Sequence, residues 1–126
     1  MSTSIAKRIS PMLAVADMEE TISFYQGVLG FKPTIRSPEY SIVERDGQTI
    51  HLQKAESEEV MKCVRGHAEM YVEVSGIDEL WKHVETFKGR YRIRDLFRRG
   101  YGMTEFHVED PNGCLVFVGE ATAIST

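Results

Sequence analysis

A chain of 126 residues with 42% apolar side chains is sized for one compact domain, and neither half of it would bury enough surface to stand alone. Its 15 Lys and Arg against 19 Asp and Glu leave a net charge of −4, which argues against general nucleic-acid binding and favours a cationic small molecule. There is no apolar run of membrane-spanning length, no positive N-terminal segment ahead of an apolar stretch, and no finger spacing between Cys63 and Cys114. The expectation is a cytoplasmic protein with reduced thiols and neither a membrane span nor a secretion signal.

The first predicted element is a strand at Met12-Leu13-Ala14-Val15, with Leu13 and Val15 facing inward. Asp17 then predicts a helix start, because its carboxylate can accept from first-turn amides while Glu20 completes a capping box. Met18, Ile22, Tyr25 and Leu29 fall at helical spacing as a core stripe, and Gly30 suits the left-handed position that ends a helix. Extended segments follow, joined at Asp46-Gly47 and running into Thr49-Ile50-His51-Leu52. Asp-Gly between alternating apolar residues is a strong hairpin signal, since both residues tolerate positive φ. The stretch from Ala55 to Arg65 reads as a joint.

The same plan then repeats about 60 residues further on. Met70-Tyr71-Val72-Glu73-Val74 matches the first strand, and Asp78 is the expected cap of a helix with Ile77, Leu80, Val84 and Phe87 on its buried face, closed by Gly89. Phe106 and Val108 mark another inward strand face, and Asn112-Gly113 predicts the turn into Leu115-Val116-Phe117-Val118. The arginines at 90, 92, 94, 98 and 99 lie near alternating positions of an extended segment. Solvated edge protection is the plain reading of them and an anion site the alternative. The chain therefore divides into two modules, about 5–60 and 66–122, within a single domain spanning 1–126. Matching the copies aligns Ser10 with Glu69 and His51 with Phe117.

On every strand the residues between the inward apolar positions must face the other way. That opposite face collects Ser10, Met12, His51, Gln53, Glu69, Tyr71, Glu73, Glu105, His107, Leu115 and Phe117. This mixture is too polar for a second core and too aromatic for plain solvent. A curved sheet with helices on its convex side would make it a lined cup.

The chain resembles the vicinal oxygen chelate superfamily, which includes glyoxalases, extradiol dioxygenases, fosfomycin resistance enzymes and bleomycin resistance proteins. The resemblance rests on Asp17 with Phe24-Tyr25 and Leu29-Gly30-Phe31, on Asp46-Gly47, on Tyr101-Gly102 and Phe106, and most specifically on Asp110-Pro111-Asn112-Gly113. It implies an α+β fold of paired βαβββ modules, forming a cup-shaped mixed eight-stranded sheet with helices on the convex face. It also implies a homodimer whose sites lie in crevices shared between subunits.

In the metal-dependent members the ligands come from first-strand and last-strand positions, here Ser10, His51, Glu69 and Phe117. Phenylalanine has no lone pair to offer, and a catalytic divalent site needs three protein ligands. The expectation is therefore no metal or other cofactor, with a divalent-metal glyoxalase or dioxygenase built on His51, Glu69 and His107 as the alternative. Within the superfamily the closest likeness is to bleomycin resistance proteins, which bind the drug without consuming it. The likeness places Pro11 where a proline accompanies exchange of the N-terminal strand between subunits, and Tyr101 and Tyr40 where aromatic rings stack on a planar ligand. Simple edge placement would also suit Pro11. His51, Gln53, Glu69, Tyr71, Glu73, His107 and Phe117 complete the expected ligand-binding set, with Glu69, Glu73 and Glu105 facing a cationic tail. The Arg98-Arg99 pair ahead of Tyr101 departs from the drug-binding pattern. The expected partners are a planar aromatic ligand and a second copy of the chain, with no nucleic acid and no membrane.

Overall fold

The computed structural model describes residues 3–122; the expected domain bounds of 1–126 run past them, and residues 1–2 and 123–126 lie outside the described residues. Strands β1 (Met12–Val15), β2 (Lys32–Ile35), β3 (Tyr40–Arg45) and β4 (Gln48–Lys54) accompany helix α1 (Met18–Leu29). After helix α2 (Glu58–Val64) come β5 (Glu69–Glu73), α3 (Ile77–Val84), a 3-10 turn at Glu85–Phe87, β6 (Ile93–Arg98), β7 (Met103–Glu109) and β8 (Leu115–Ala121). The fold is α+β, and its eight strands hydrogen-bond as two four-stranded mixed sheets rather than as one continuous sheet.

The first sheet runs β1-β4-β3-β2 and the second β5-β8-β7-β6. In each, the first and last strands of the unit pair in parallel and the other pairings are antiparallel. The register slot that sets Met12 opposite His51 in the first sheet sets Tyr71 opposite Phe117 in the second. Val15, Ile50, Leu52, Phe106, Val108, Val116 and Val118 are buried in one cluster with the α1 stripe, so residues from both sheets share a core. Among the described residues no helix is long and apolar enough to cross a membrane.

Helix α1 forms as the sequence predicts. Asp17 accepts from the Glu20 amide at 3.0 Å, and Gly30 ends the helix at φ 77°. The Asp46-Gly47 turn has both residues at positive φ, 51° and 80°.

Four local expectations are corrected. The expected joint contains α2, capped by Ser57 accepting from the Val60 amide and held to the fold by Met61, its one buried side chain. Asp78 is not the cap of α3. The helix begins at Ile77, and the Glu120 carboxylate, arriving from β8, accepts from the Gly76 and Ile77 amides at 3.2 and 3.0 Å. At its other end the helix tightens into the 3-10 turn, and Gly89 takes no left-handed conformation. Finally, Asn112-Gly113 is part of a longer turn between Glu109 and Leu115, in which only Gly113 has positive φ. Asp110 organises that turn by accepting from the Asn112 and Cys114 amides, and it also accepts from the Tyr25 hydroxyl at 2.6 Å. Asn112 reaches the Ala16 amide and Thr21 of the first module. The most distinctive sequence run thus couples the modules as well as turning the chain. Burial pushes the Asp110 carboxyl above its ordinary range despite these donors. Burial likewise pushes the neighbouring Cys114 thiol up to about 12.

Candidate functional site

The outward face of the second sheet is built around a carboxylate. Glu105 lies in mid-β7 with no solvent exposure and receives four side chains. The Tyr71 and Tyr101 hydroxyls both donate to its Oε2, at 2.8 and 2.6 Å. On Oε1, His107 Nε2 sits at 3.0 Å and Arg99 Nε at 3.4 Å. Burial alone would raise the Glu105 pKa, but hydrogen bonds from His107, Tyr101 and Tyr71 outweigh it and hold the carboxyl below its ordinary range. The reciprocal effect pushes the Tyr71 phenol well above its usual value, through burial first and then its bond to Glu105.

Local sequence explains how these groups meet. Gly119 on β8 lies between Glu73 and Glu105 in register. A Cβ there would stand 2.0 Å from the Tyr71 hydroxyl oxygen and 3.1 Å from Glu105 Cγ, so the missing side chain is what lets Tyr71 reach across β8. Phe117 supports Tyr71 in a stacked arrangement, with ring centroids 6.3 Å apart and planes 18° apart, and meets the His107 ring at 4.1 Å. The tight turn Arg99-Gly100-Tyr101-Gly102 is closed by the Gly102 amide donating to the Arg99 carbonyl with Gly102 at φ 85°, and Arg99 Nε donates to the Tyr101 hydroxyl at 3.0 Å. Two tyrosines are therefore tied at their hydroxyl ends while staying 47% and 61% exposed.

The first sheet arranges its outward face differently. Tyr40 and His51 meet edge-to-face, with the Tyr40 hydroxyl hydrogen-bonded to His51 Nδ1. His51 borders an open hollow of about 530 Å³ whose walls include Ser10, Thr34, Ile42, Glu44 and Thr49. Gln53 is exposed and pairs with Tyr40 in register. Pro11 precedes β1, its carbonyl accepting from the His51 amide at 3.0 Å. Glu69 and Glu73 flank Tyr71 on β5 and are exposed, and a cleft of about 480 Å³ runs from Tyr71 and Glu73 to the Ile9–Pro11 segment.

The predicted residues thus fall into two groups. Tyr71, Tyr101, His107 and Phe117 come together on the second sheet, and Tyr40, His51 and Gln53 on the first. Glu105 is corrected as a group facing a cationic tail, because it is sealed under the tyrosines and already satisfied by four donors. Arg99 and Gly119 were missed as site residues. A glycine opposite a mid-strand carboxylate is the signal that could have found the space Tyr71 uses.

The donor set does not fit the metal centre of the metal-dependent members. Phe117 occupies one expected ligand position and is packed between Tyr71 and His107. Within one chain the alternative trio of His51, Glu69 and His107 is not brought together. His51 lies on the first sheet, Glu69 and His107 on the second with His107 bound to Glu105, and no three His, Cys, Asp or Glu side chains gather among the described residues.

The model of the glyoxalase/bleomycin resistance protein/dioxygenase superfamily matches residues 8–118. The chain belongs to this superfamily. The bleomycin resistance protein of Geobacillus stearothermophilus is 27% identical over 119 residues, covering 84% of this chain and 90% of the relative. Among solved structures, a copper(II)-bleomycin complex of the bleomycin-binding protein from bleomycin-producing Streptomyces verticillus matches with a TM-score of 0.72 at 21% identity, over 98% of this chain and 100% of that one. A glyoxalase-related enzyme from Clostridium phytofermentans matches with a TM-score of 0.74 at 21% identity, over 96% of this chain and 99% of that one. Both structural likenesses establish the fold of the superfamily member.

Proposed function

We propose that this chain sequesters a planar, cationic antibiotic or related metabolite, binding it without turnover in crevices at a homodimer interface. The observation that carries the reading is the pair of exposed tyrosines on Glu105. Their hydroxyls are fixed and their rings remain accessible, so a planar heteroaromatic ligand gains stacking contacts at little ordering cost. Each aromatic pair contributes roughly 0.5–1.5 kcal/mol beyond area burial. Glu69 and Glu73 beside Tyr71, with the net charge of −4, favour a cationic group and speed its encounter. Neither proton transfer nor a cofactor is required. The bleomycin resistance relatives and the bleomycin-bound structure of similar fold support the same reading.

In this reading Tyr40, His51 and Gln53 of a second copy form the opposite wall. The segment before β1 supports such an assembly: its described residues, 3–11, form no strand, and Ile5 and Ile9 are 83% and 93% exposed, which suits an arm exchanged onto a partner at Pro11. The test is calorimetric titration with metal-free and copper-loaded bleomycin, followed by mass analysis of the recovered drug. Saturable binding at one drug per subunit with the drug intact is expected. Absence of binding to either form would remove bleomycin as the ligand, and chemically altered drug would remove sequestration as the activity. Light scattering of Pro11→Ala tests the arm separately, because unchanged assembly and binding would leave strand exchange without support.

A further inference from the structure

Phe97, on the outward face of the second sheet, carries two guanidinium groups. Arg94 Cζ lies 4.7 Å from the ring centre and Arg99 Cζ 4.6 Å from it. Arg94 pairs with His107 and Phe97 with Glu105, and the register shift between them brings both onto the face that holds the tyrosines. The two arginines differ in how their charge is met. Arg99 engages Tyr101 and Glu105 through Nε, so its charge is shared with the buried carboxylate. The Arg94 side chain forms no ion pair or hydrogen bond among the described residues and lies over the Phe97 ring. The neighbouring carboxylates are already engaged, Asp95 by Lys88 and Glu109 by Arg92. An uncompensated positive charge therefore sits at the β6 edge of an aromatic surface.

The opposite edge has the reverse sign. Glu69 and Glu73 on β5 are exposed and form no ion pair among the described residues. With strand order β5-β8-β7-β6, the two edges are three inter-strand spacings apart, about 14 Å.

The geometry points to an anion subsite at Arg94 and Arg99, held against Phe97, that receives a carboxylate or phosphate at one end of an amphoteric aromatic ligand whose cationic end faces Glu69 and Glu73. A guanidinium presents a planar fork of donors matched to either anion, and stacking on a ring fixes that fork in advance. The inference rests on the reading of this face as the ligand platform. It also differs from plain edge protection, which requires charge at β6 but not on the ring-bearing face beside the tyrosines.

The experiment compares the affinity of the full chain for naphthalene-2-carboxylate, 2-naphthyl phosphate and the neutral 2-naphthamide, in wild type and in Arg94→Gln. We expect at least one acid to bind about tenfold tighter than the amide, the factor conferred by one charge-assisted hydrogen bond. The preference should weaken with added salt and fall to near unity in Arg94→Gln. Preference for the carboxylate alone or the phosphate alone identifies which anion the subsite takes. Equal binding of acids and amide, an undiminished preference in Arg94→Gln, or no saturable binding of any of the three would overturn the subsite. A merely structural arginine would move the melting temperature and leave the acid-to-amide ratio unchanged. Bleomycin binding without an acid preference would sink this inference and leave the sequestering reading standing, while an acid preference without bleomycin binding would do the reverse.

Discussion

The two sheets share one topology and carry opposite kinds of surface. The slot that holds Met12 and His51 in the first sheet holds the stacked pair Tyr71 and Phe117 in the second. Around His51 the face opens into a polar hollow, whereas around Glu105 it closes into aromatic rings over a neutralised carboxylate. A repeated scaffold thus fixes where side chains point and leaves their chemistry free to diverge. The Glu105 cluster uses its polar atoms internally to hold rings in place, so what it offers a ligand is mainly ring surface.

The sharpest way to break this comparison is to remove the carboxylate. Glu105→Leu strands Arg99, His107 and two tyrosine hydroxyls, and it should cost about 3 kcal/mol or more in chemical denaturation. His51→Leu on the first sheet should cost about 1 kcal/mol or less, because His51 is only partly buried and has one side-chain hydrogen-bond partner. Equal costs would mean that the second face is no more tightly organised than the first.

A smaller effect is expected from filling the space beside the cluster. Gly119→Ala puts a Cβ where the Tyr71 hydroxyl lies, and Tyr71 must swing out and release Glu105. The loss should be about 1–2 kcal/mol, as for one hydrogen bond to a charged group, and the Tyr71 phenol should return toward its ordinary pKa in an ultraviolet titration.

The pH dependence separates Glu105 from the buried carboxyl that couples the modules. Glu105 is depressed in the folded state, so its stabilisation is present above about 4.5 and is lost as pH falls through the folded value. Asp110 is raised, so its contribution is present at low pH and is lost as pH rises through its folded value. The melting-temperature gap between wild type and Glu105→Gln should therefore narrow on acidification, and a gap that stays constant from pH 6 down to about pH 3 would contradict the assignment.

The smallest change is predicted for Tyr40→Phe. It keeps the ring and removes one partly exposed hydrogen bond to His51, for about 1 kcal/mol or less in a denaturant midpoint.

Much of the fold was legible because periodicity is a local signal. Leu13, Val15, Ile50 and Leu52 alternate as a half-buried strand must, and Asp17 with Glu20 marks a helix start within four residues. The misses have a common cause in groups that act from far along the chain. The cap of α3 is Glu120, 43 residues beyond Ile77, so the nearby Asp78 was the natural but incorrect choice. Helix α2 has a single buried residue and hence no stripe to detect, although Ser57 ahead of Glu58 and Glu59 is a capping signal. In the site, alternation correctly assigned Tyr71, His107 and Phe117 to one face. It gave no hint that Gly119 leaves space for Tyr71, that Arg99 turns inward, or that Glu105 is sealed, because those depend on register between strands.

The central claim is that ligand recognition resides in the tethered rings of the second sheet. Its most direct test is the bleomycin affinity of Tyr101→Ala measured beside Tyr40→Ala. Tyr101→Ala should weaken binding by about tenfold or more, through lost stacking and ring burial, and by more than Tyr40→Ala does. A wild-type protein that binds no drug, or a Tyr101→Ala variant that binds as tightly as wild type, would contradict it.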